Sequence, residues 1–89
     1  MSTADRIDAA LRGAFAPTEL SLVDESHLHA GHAGARGGGG HYRVRVVSEA
    51  FRGVGLVERH RAVYAALADE MRGAIHALAL TTLAPGEPG

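Results

Sequence analysis

The 89-residue sequence predicts one α+β domain, helices on one face of a three-stranded sheet, and three observations carry that expectation. Apolar residues recur at helical spacing near the start, at Ile7, Ala10, Leu11, Ala14 and Phe15. They alternate with polar residues in two short runs, around Leu20 and around Val44. A second helical stretch then leads into an unbroken apolar run from Ile75 to Leu80.

Each element has a local reason. Ser2 and Asp5 have the spacing of a capping box ahead of the first apolar stripe, and Pro17 closes that helix. Residues 19–24 read as a strand with Leu20 and Leu22 on one face, and residues 42–47 as another, with Tyr42, Val44 and Val46 opposite Arg43 and Arg45. The two are expected to form a hairpin. Between them, Ala30 to Gly40 holds six glycines and no periodicity, which predicts a mobile surface loop over about 27–40. Phe51, Gly53 and Gly55 mark a turn, after which Leu56, His60, Val63, Tyr64, Leu67 and Met71 trace one helical face, broken near Glu58 and stopped by Gly73. The run over 75–82 is apolar on both sides, as an inner strand would be. Residues 1–84 then form the domain, and Pro85 to Gly89 a frayed, flexible tail.

Composition narrows the chemistry. With 46% hydrophobic residues but only two Phe and two Tyr, the core must be aliphatic, and a chain this short is not expected to enclose a large active site. A formal charge of −1 and a pI near 6.6 supply no global field to attract nucleic acid or membrane. No apolar run approaches the roughly 18 residues of a membrane span, and Met1 to Asp5 lacks the layout of a secretory signal, so a cytoplasmic protein is expected. No Ser/His/Asp or paired-carboxylate arrangement stands out, which argues against an enzyme.

What does stand out is six histidines beside no cysteine. His27, His29 and His32 cluster at the entrance of the glycine-rich loop, where His29 and His32 have a spacing that suits one metal ion; a solvated polar loop is the ordinary alternative. His76 lies in the late apolar run, and strand parity puts it on the side of Leu78 and Leu80. That leaves either a buried, hydrogen-bonded ring or a rigidly held ligand. His60 falls on the inner helix face and reads as structural, while His41 has no companion in the sequence. Arg52, Arg59 and Arg61, with Arg43 and Arg45, are candidate phosphate contacts, although Arg59 and Arg61 diverge by about 200° around the helix. The glycines do not make a P-loop, because no Gly-Lys-Ser/Thr follows and no helix opens after Gly40.

Ser48, Phe51, Gly53, Arg59-His60-Arg61 with Val63 and Tyr64, Leu67, Glu70, and Ile75-His76-Ala77-Leu78-Ala79-Leu80 with Thr82 and Pro85 resemble the BolA family. The likeness runs from the first helix through Asp24-Glu25-Ser26 and His41-Tyr42 to Glu87. It implies an αββααβ fold related to class II KH domains, with a three-stranded mixed sheet. It also implies a heterodimer with a monothiol glutaredoxin bearing a Cys-Gly-Phe-Ser site, bridged by a [2Fe-2S] cluster used for iron–sulfur trafficking or iron sensing. In that arrangement the partner's cysteine and a bound glutathione give thiolates, and this chain gives two histidines. The first carries over onto His76 and the second onto His29, with His32 or His27 as alternates. Neutral imidazoles on one iron should raise the cluster's potential and make ligation acid-sensitive. The resemblance equally implies a competing role as a DNA-binding transcriptional regulator using Arg52, Arg59 and Arg61. The free chain is expected to be a monomer or weak homodimer.

Overall fold

A computed structural model describes residues 1–29 and 39–89, with the side chains of Leu28 and His29 excepted. The first helix, α1, spans Thr3–Phe15. Its capping box is formed: the Ser2 hydroxyl accepts from the Asp5 N–H at 3.1 Å and the Asp5 carboxylate accepts from the Ser2 N–H at 3.2 Å. The stripe predicted from spacing turns inward except at Ala14, which is exposed; Ile7 and Leu11 are fully buried, with Ala10 and Phe15 packed against the core. The helix stops at Ala16, whose backbone is left-handed at φ 44° and returns its N–H to the Arg12 carbonyl. Pro17 then prevents continuation.

Strands β1 (Glu19–Asp24) and β2 (Gly40–Val47) pair antiparallel, and β3 (Ile75–Leu83) pairs parallel to β2, giving the mixed three-stranded sheet in the order β1-β2-β3. The inward residues Tyr42, Val44 and Val46 of β2 pack with Ile7, Leu11, Phe51, Val63, Leu67 and Ile75, so the helices cover one face only. Two expectations about β3 change. It is an edge strand, not an inner one; its outer face reads as apolar because Ala77 and Ala79 occupy it, and both are exposed. Its parity also shifts, since Gly40 pairs with Ile75 and His41 with Ala77, leaving His76 as the extra residue of a β-bulge. Ile75 thereby takes the core position and His76 is exposed, rather than lying beside Leu78 and Leu80.

A short 3-10 turn at Glu49–Phe51 follows β2, capped by the buried Ser48, whose hydroxyl donates to the Phe15 carbonyl while accepting from the Ala50 N–H. Phe51 is buried against Phe15, ring centroids 5.0 Å apart, and Gly53 supplies a φ of 75° at the turn. Helices α2 (Leu56–Ala66) and α3 (Ala68–Met71) come next, and the break falls at Leu67 instead of near Glu58. The inward face also differs from the predicted one. Leu56 is 63% and Tyr64 41% exposed, whereas Arg59 is buried beside Val63, because its guanidinium finds partners inside that an apolar side chain would not need.

The left-handed Ala16 is a site where a Cβ carries a steric cost that glycine lacks. Ala16→Gly is expected to raise stability by up to about 1 kcal/mol, read as a higher urea midpoint at unchanged m-value.

Candidate functional site

Where β1 ends, a set of short polar contacts clamps the backbone of β2 at His41. Asp24 accepts from the Ser26 N–H at 2.9 Å, turning the chain into the 3-10 segment Ser26–His29, and these bonds from Ser26 hold its carboxyl below the usual carboxylate range. Ser26 Oγ in turn accepts from the His41 N–H at 3.1 Å, and the His41 carbonyl accepts from the Glu25 N–H at 2.7 Å. His41 is thus held from both sides of its peptide.

The bulge of β3 is fitted into the same corner. The Gly40 N–H donates to the Ala74 carbonyl at 2.9 Å, fixing the first rung of the parallel pair. Gly39 lies so close to the bulged strand that a Cβ there would come within 2.8 Å of the His76 Cβ. At Gly40 a Cβ would meet the Tyr42 ring at 2.5 Å and Ser26 Oγ at 2.8 Å. The last two glycines of the glycine-rich segment are therefore contact positions where backbone and side chains approach too closely for any larger residue.

This corner brings two imidazoles together. The His41 and His76 rings have centroids 5.2 Å apart, tilted by 46°, with His76 exposed and His41 half-buried. Sequence reasoning singled out His76 but found no companion for His41. The missing signal was the pairing register, a long-range property that spacing along the chain does not encode. An open depression of about 290 Å³ lies alongside, lined by Glu25, His41, Tyr42, Arg43 and residues Ala77 to Ala79. The charges nearby are matched: Arg43 pairs with Glu25 at 3.2 Å and Arg45 with Glu19 at 3.7 Å.

The other sequence-predicted residues separate by location. His27 is exposed; the side chain of His29 and the whole of His32 lie outside the described residues, as do residues 30–38 of the loop expected over about 27–40, whose ends are instead a 3-10 turn at Ser26–His29 and the first residue of β2 at Gly40. His60 is half-buried on α2, and its Nε2 has no hydrogen-bond partner among the described residues. Arg59, expected as a phosphate contact, is turned inward. Its Nε donates to the Val54 carbonyl at 2.7 Å, its Nη1 to the Thr82 carbonyl at 3.1 Å, and both terminal nitrogens to the Glu87 carboxylate at 2.6 and 2.9 Å. Arg52 and Arg61 remain exposed, but Arg52 grips Glu49 and the Pro85 carbonyl, and Arg61 pairs with Glu58 at 2.9 Å. The segment expected to fray is held at the same place: besides Arg59, Glu87 accepts the Ala84 N–H at 2.8 Å.

The family model for "BolA-like protein" matches residues 11–87. The chain belongs to the BolA family. It is 46% identical to an uncharacterised protein of Sinorhizobium over 99% of this chain and 97% of the other. It is 43% identical to the DNA-binding transcriptional regulator BolA of Escherichia coli over 92% of this chain and 75% of that protein. Human BolA-like protein 1 is 42% identical over 91% of this chain, which spans 60% of the human protein. Among solved structures, BolA1 from Arabidopsis thaliana superposes with a TM-score of 0.85 at 34% identity, covering 100% of this chain and 99% of that one. The BolA domain of SufE1 from the same plant gives 0.85 at 39% identity, covering 99% and 98%. These neighbours share the mixed sheet with its helices. No helix among the described residues is long and apolar enough to cross a membrane.

The matched BolA stretch reaches Glu87, so the Arg59–Glu87 pair lies within it. The bonds from Arg59, with that from the Ala84 N–H, bring the Glu87 pKa down from 4.5 to about 2. A carboxylate with a lowered folded-state pKa stabilises the fold above its unfolded value and loses that contribution as pH falls through the folded one. The urea midpoint of the native chain should therefore exceed that of Glu87→Gln at pH 7. The gap should narrow below pH 4.5 and close near pH 2, whereas a gap constant across this window would assign the difference to packing alone.

Proposed function

We propose that this BolA-family chain is a non-enzymatic adaptor that binds a monothiol glutaredoxin and supplies histidine to a [2Fe-2S] cluster shared between them. The observation that supports the reading is His76, an exposed imidazole set at a β-bulge on a strand whose register is fixed by backbone hydrogen bonds. Its neighbours fit a cluster's donor set on one side only. His41 stands 5.2 Å away, and His27, with His29 and His32 further along, follows the strand that pairs with β2. The chain contains no cysteine, so every thiolate must come from outside it, from the partner's cysteine and a bound glutathione. A bound [2Fe-2S] cluster supplies electron transfer or a transferable iron–sulfur unit, and nitrogen ligation tunes its potential. What this chain's own residues do is present imidazole at fixed positions, hold those positions through Gly39 and Ser26, and leave the other donors to the partner.

The second reading, DNA binding, takes its support from the name of the Escherichia coli relative and its 43% identity. Among the arginines assigned to it, Arg59 is committed to Glu87 and two carbonyls, which leaves Arg52 and Arg61, each beside a carboxylate. Such a surface neutralises few phosphates.

His76→Ala is expected to lower the visible absorbance and circular dichroism of the cluster formed with a Cys-Gly-Phe-Ser glutaredoxin more than about tenfold, with the far-ultraviolet spectrum unchanged. An unaltered cluster spectrum would remove His76 from the ligand set. Separate substitutions of His27, His29 and His32 in the same assay identify the loop ligand. For DNA, two phosphate contacts by Arg52 and Arg61 give a log–log salt slope of about −2. A steeper slope, insensitive to the glutaredoxin, would favour the regulator reading.

A further inference from the structure

We propose that the free edge of β3 is a self-association surface, on which a second copy of this chain pairs antiparallel about Ala79 to close a two-fold dimer. The two sheets then join into one of six strands, three from each copy. This goes beyond the shared-cluster reading and concerns the chain in the absence of any other protein.

The first argument is which backbone groups are left over. The Leu83 carbonyl accepts from the Ser48 N–H at 2.9 Å, so Leu83 turns its peptide groups toward β2. Successive residues of a strand direct these groups to opposite edges. Ala77, Ala79 and Thr81 therefore also face β2, whereas Leu78, Leu80 and Thr82 face away from it. The Thr82 carbonyl agrees with this parity, since it accepts from Arg59 of α2 at 3.1 Å. Among the described residues no other hydrogen bond reaches that edge, which leaves the N–H and C=O of Leu78 and Leu80 open. Such a row is a template for another strand.

The second argument is which strand fits. Edge strands are commonly guarded by charge or proline, and β1, at the other edge, has both: Pro17 precedes it and Glu19 and Asp24 end it. An antiparallel overlay of β1 on its own copy sets Glu19 opposite the second copy's Asp24, two like charges, which is destabilising. Over Ile75–Leu83 there is neither a charged residue nor a proline. The same overlay of β3 centres on Ala79 and is self-complementary. Ala79 meets its own equivalent and Ala77 meets the second copy's Thr81, on the face where these side chains are small and exposed. Leu78 meets the second copy's Leu80 on the helix side, and because these are the residues with open peptide groups, each such pair exchanges both N–H···O bonds.

The third argument is closure and extent. Pairing uses β3 of both copies and leaves only the two acidic β1 strands as edges, so assembly stops at the dimer. Arg59 and Glu87 already occupy the strand's end at Thr82, which confines the new contact to the middle of β3. A contact this short falls below the roughly 1,000 Å² of a stable complex, so the dimer is weak, reversible and formed at about 0.1 mM and above.

The test uses the full, untagged chain with no other protein added, followed by sedimentation equilibrium and by amide hydrogen exchange at low and high concentration. A reversible monomer–dimer equilibrium is expected, and between about 20 μM and 1 mM exchange at Leu78 and Leu80 should slow by about threefold or more while the amides facing β2 change little. Ala79→Lys and Ala79→Glu, at an exposed position, should each be folded and weaken the dimer by about tenfold or more, because the substitution meets its own like charge across the two-fold axis. An equimolar mixture of the two should dimerise again. Leu56→Ser with Tyr64→Ser, which removes the exposed apolar residues of α2, should leave the equilibrium within about twofold. The exchange data keep the test decisive if a variant misfolds, since they need no substitution. A monomer throughout, open-ended assembly, protection that spares Leu78 and Leu80, a dimer that survives Ala79→Lys in a folded protein, a mixture that stays monomeric, or loss of the dimer in the α2 variant would each overturn the proposal. With no glutaredoxin in the sample, these outcomes are separate from success or failure of the shared cluster.

Discussion

The buried guanidinium of Arg59 is the interaction on which the packing of this BolA domain depends. A charge removed from water is tolerated only when its donors are satisfied, and Arg59 directs them to the Val54 and Thr82 carbonyls and to both oxygens of Glu87. Its guanidinium carbon also lies 6.0 Å from the centroid of Phe51, which itself packs on Phe15. One side chain thereby joins the start of α2, the turn before it, the end of β3, the C-terminal segment and, through the two phenylalanines, α1. Lysine offers the same charge without the planar fork that reaches three acceptor groups at once. The Arg-His-Arg run is then a structural signature at Arg59 and a surface feature at Arg61.

The candidate site depends on a different constraint, the extra residue in β3. A strand residue alternates faces with period two, so one inserted residue reverses the parity of everything before it. The bulge lets Ile75 enter the core and turns His76 out to solvent, while Leu78, Leu80 and Thr82 keep to the helix side. Parallel pairing then decides which residue of β2 meets it. The close approach of Gly39 and Gly40 gives the glycine-rich segment a role at its end that composition alone does not suggest.

The two constraints lie at opposite ends of the sheet and serve different purposes. The Arg59 end is dense with satisfied charge. At the His76 end, an exposed imidazole and an open depression stand on fixed backbone, and the neighbouring charges are matched. The backbone there is fixed in advance while the side chains on it stay open to solvent.

The sequence by itself determined the element order, the cap at Ser2 and Asp5, and the inward residues Ile7 and Leu11 of α1 and Tyr42, Val44 and Val46 of β2, all properties carried by residues near one another in the chain. It also determined that the chain offers no thiolate, since no fold can add a cysteine. The tertiary structure decided the rest. Which residue of α2 faces inward was settled by the acceptors waiting for Arg59, so the periodicity that favoured Leu56 and Tyr64 did not prevail. That β3 lies at the edge follows from strand order, because small outer residues such as Ala77 and Ala79 look apolar wherever the strand sits. The companionship of His41 and His76 follows from a parallel register and a bulge between segments more than thirty residues apart, where spacing in the chain carries no information about distance in space.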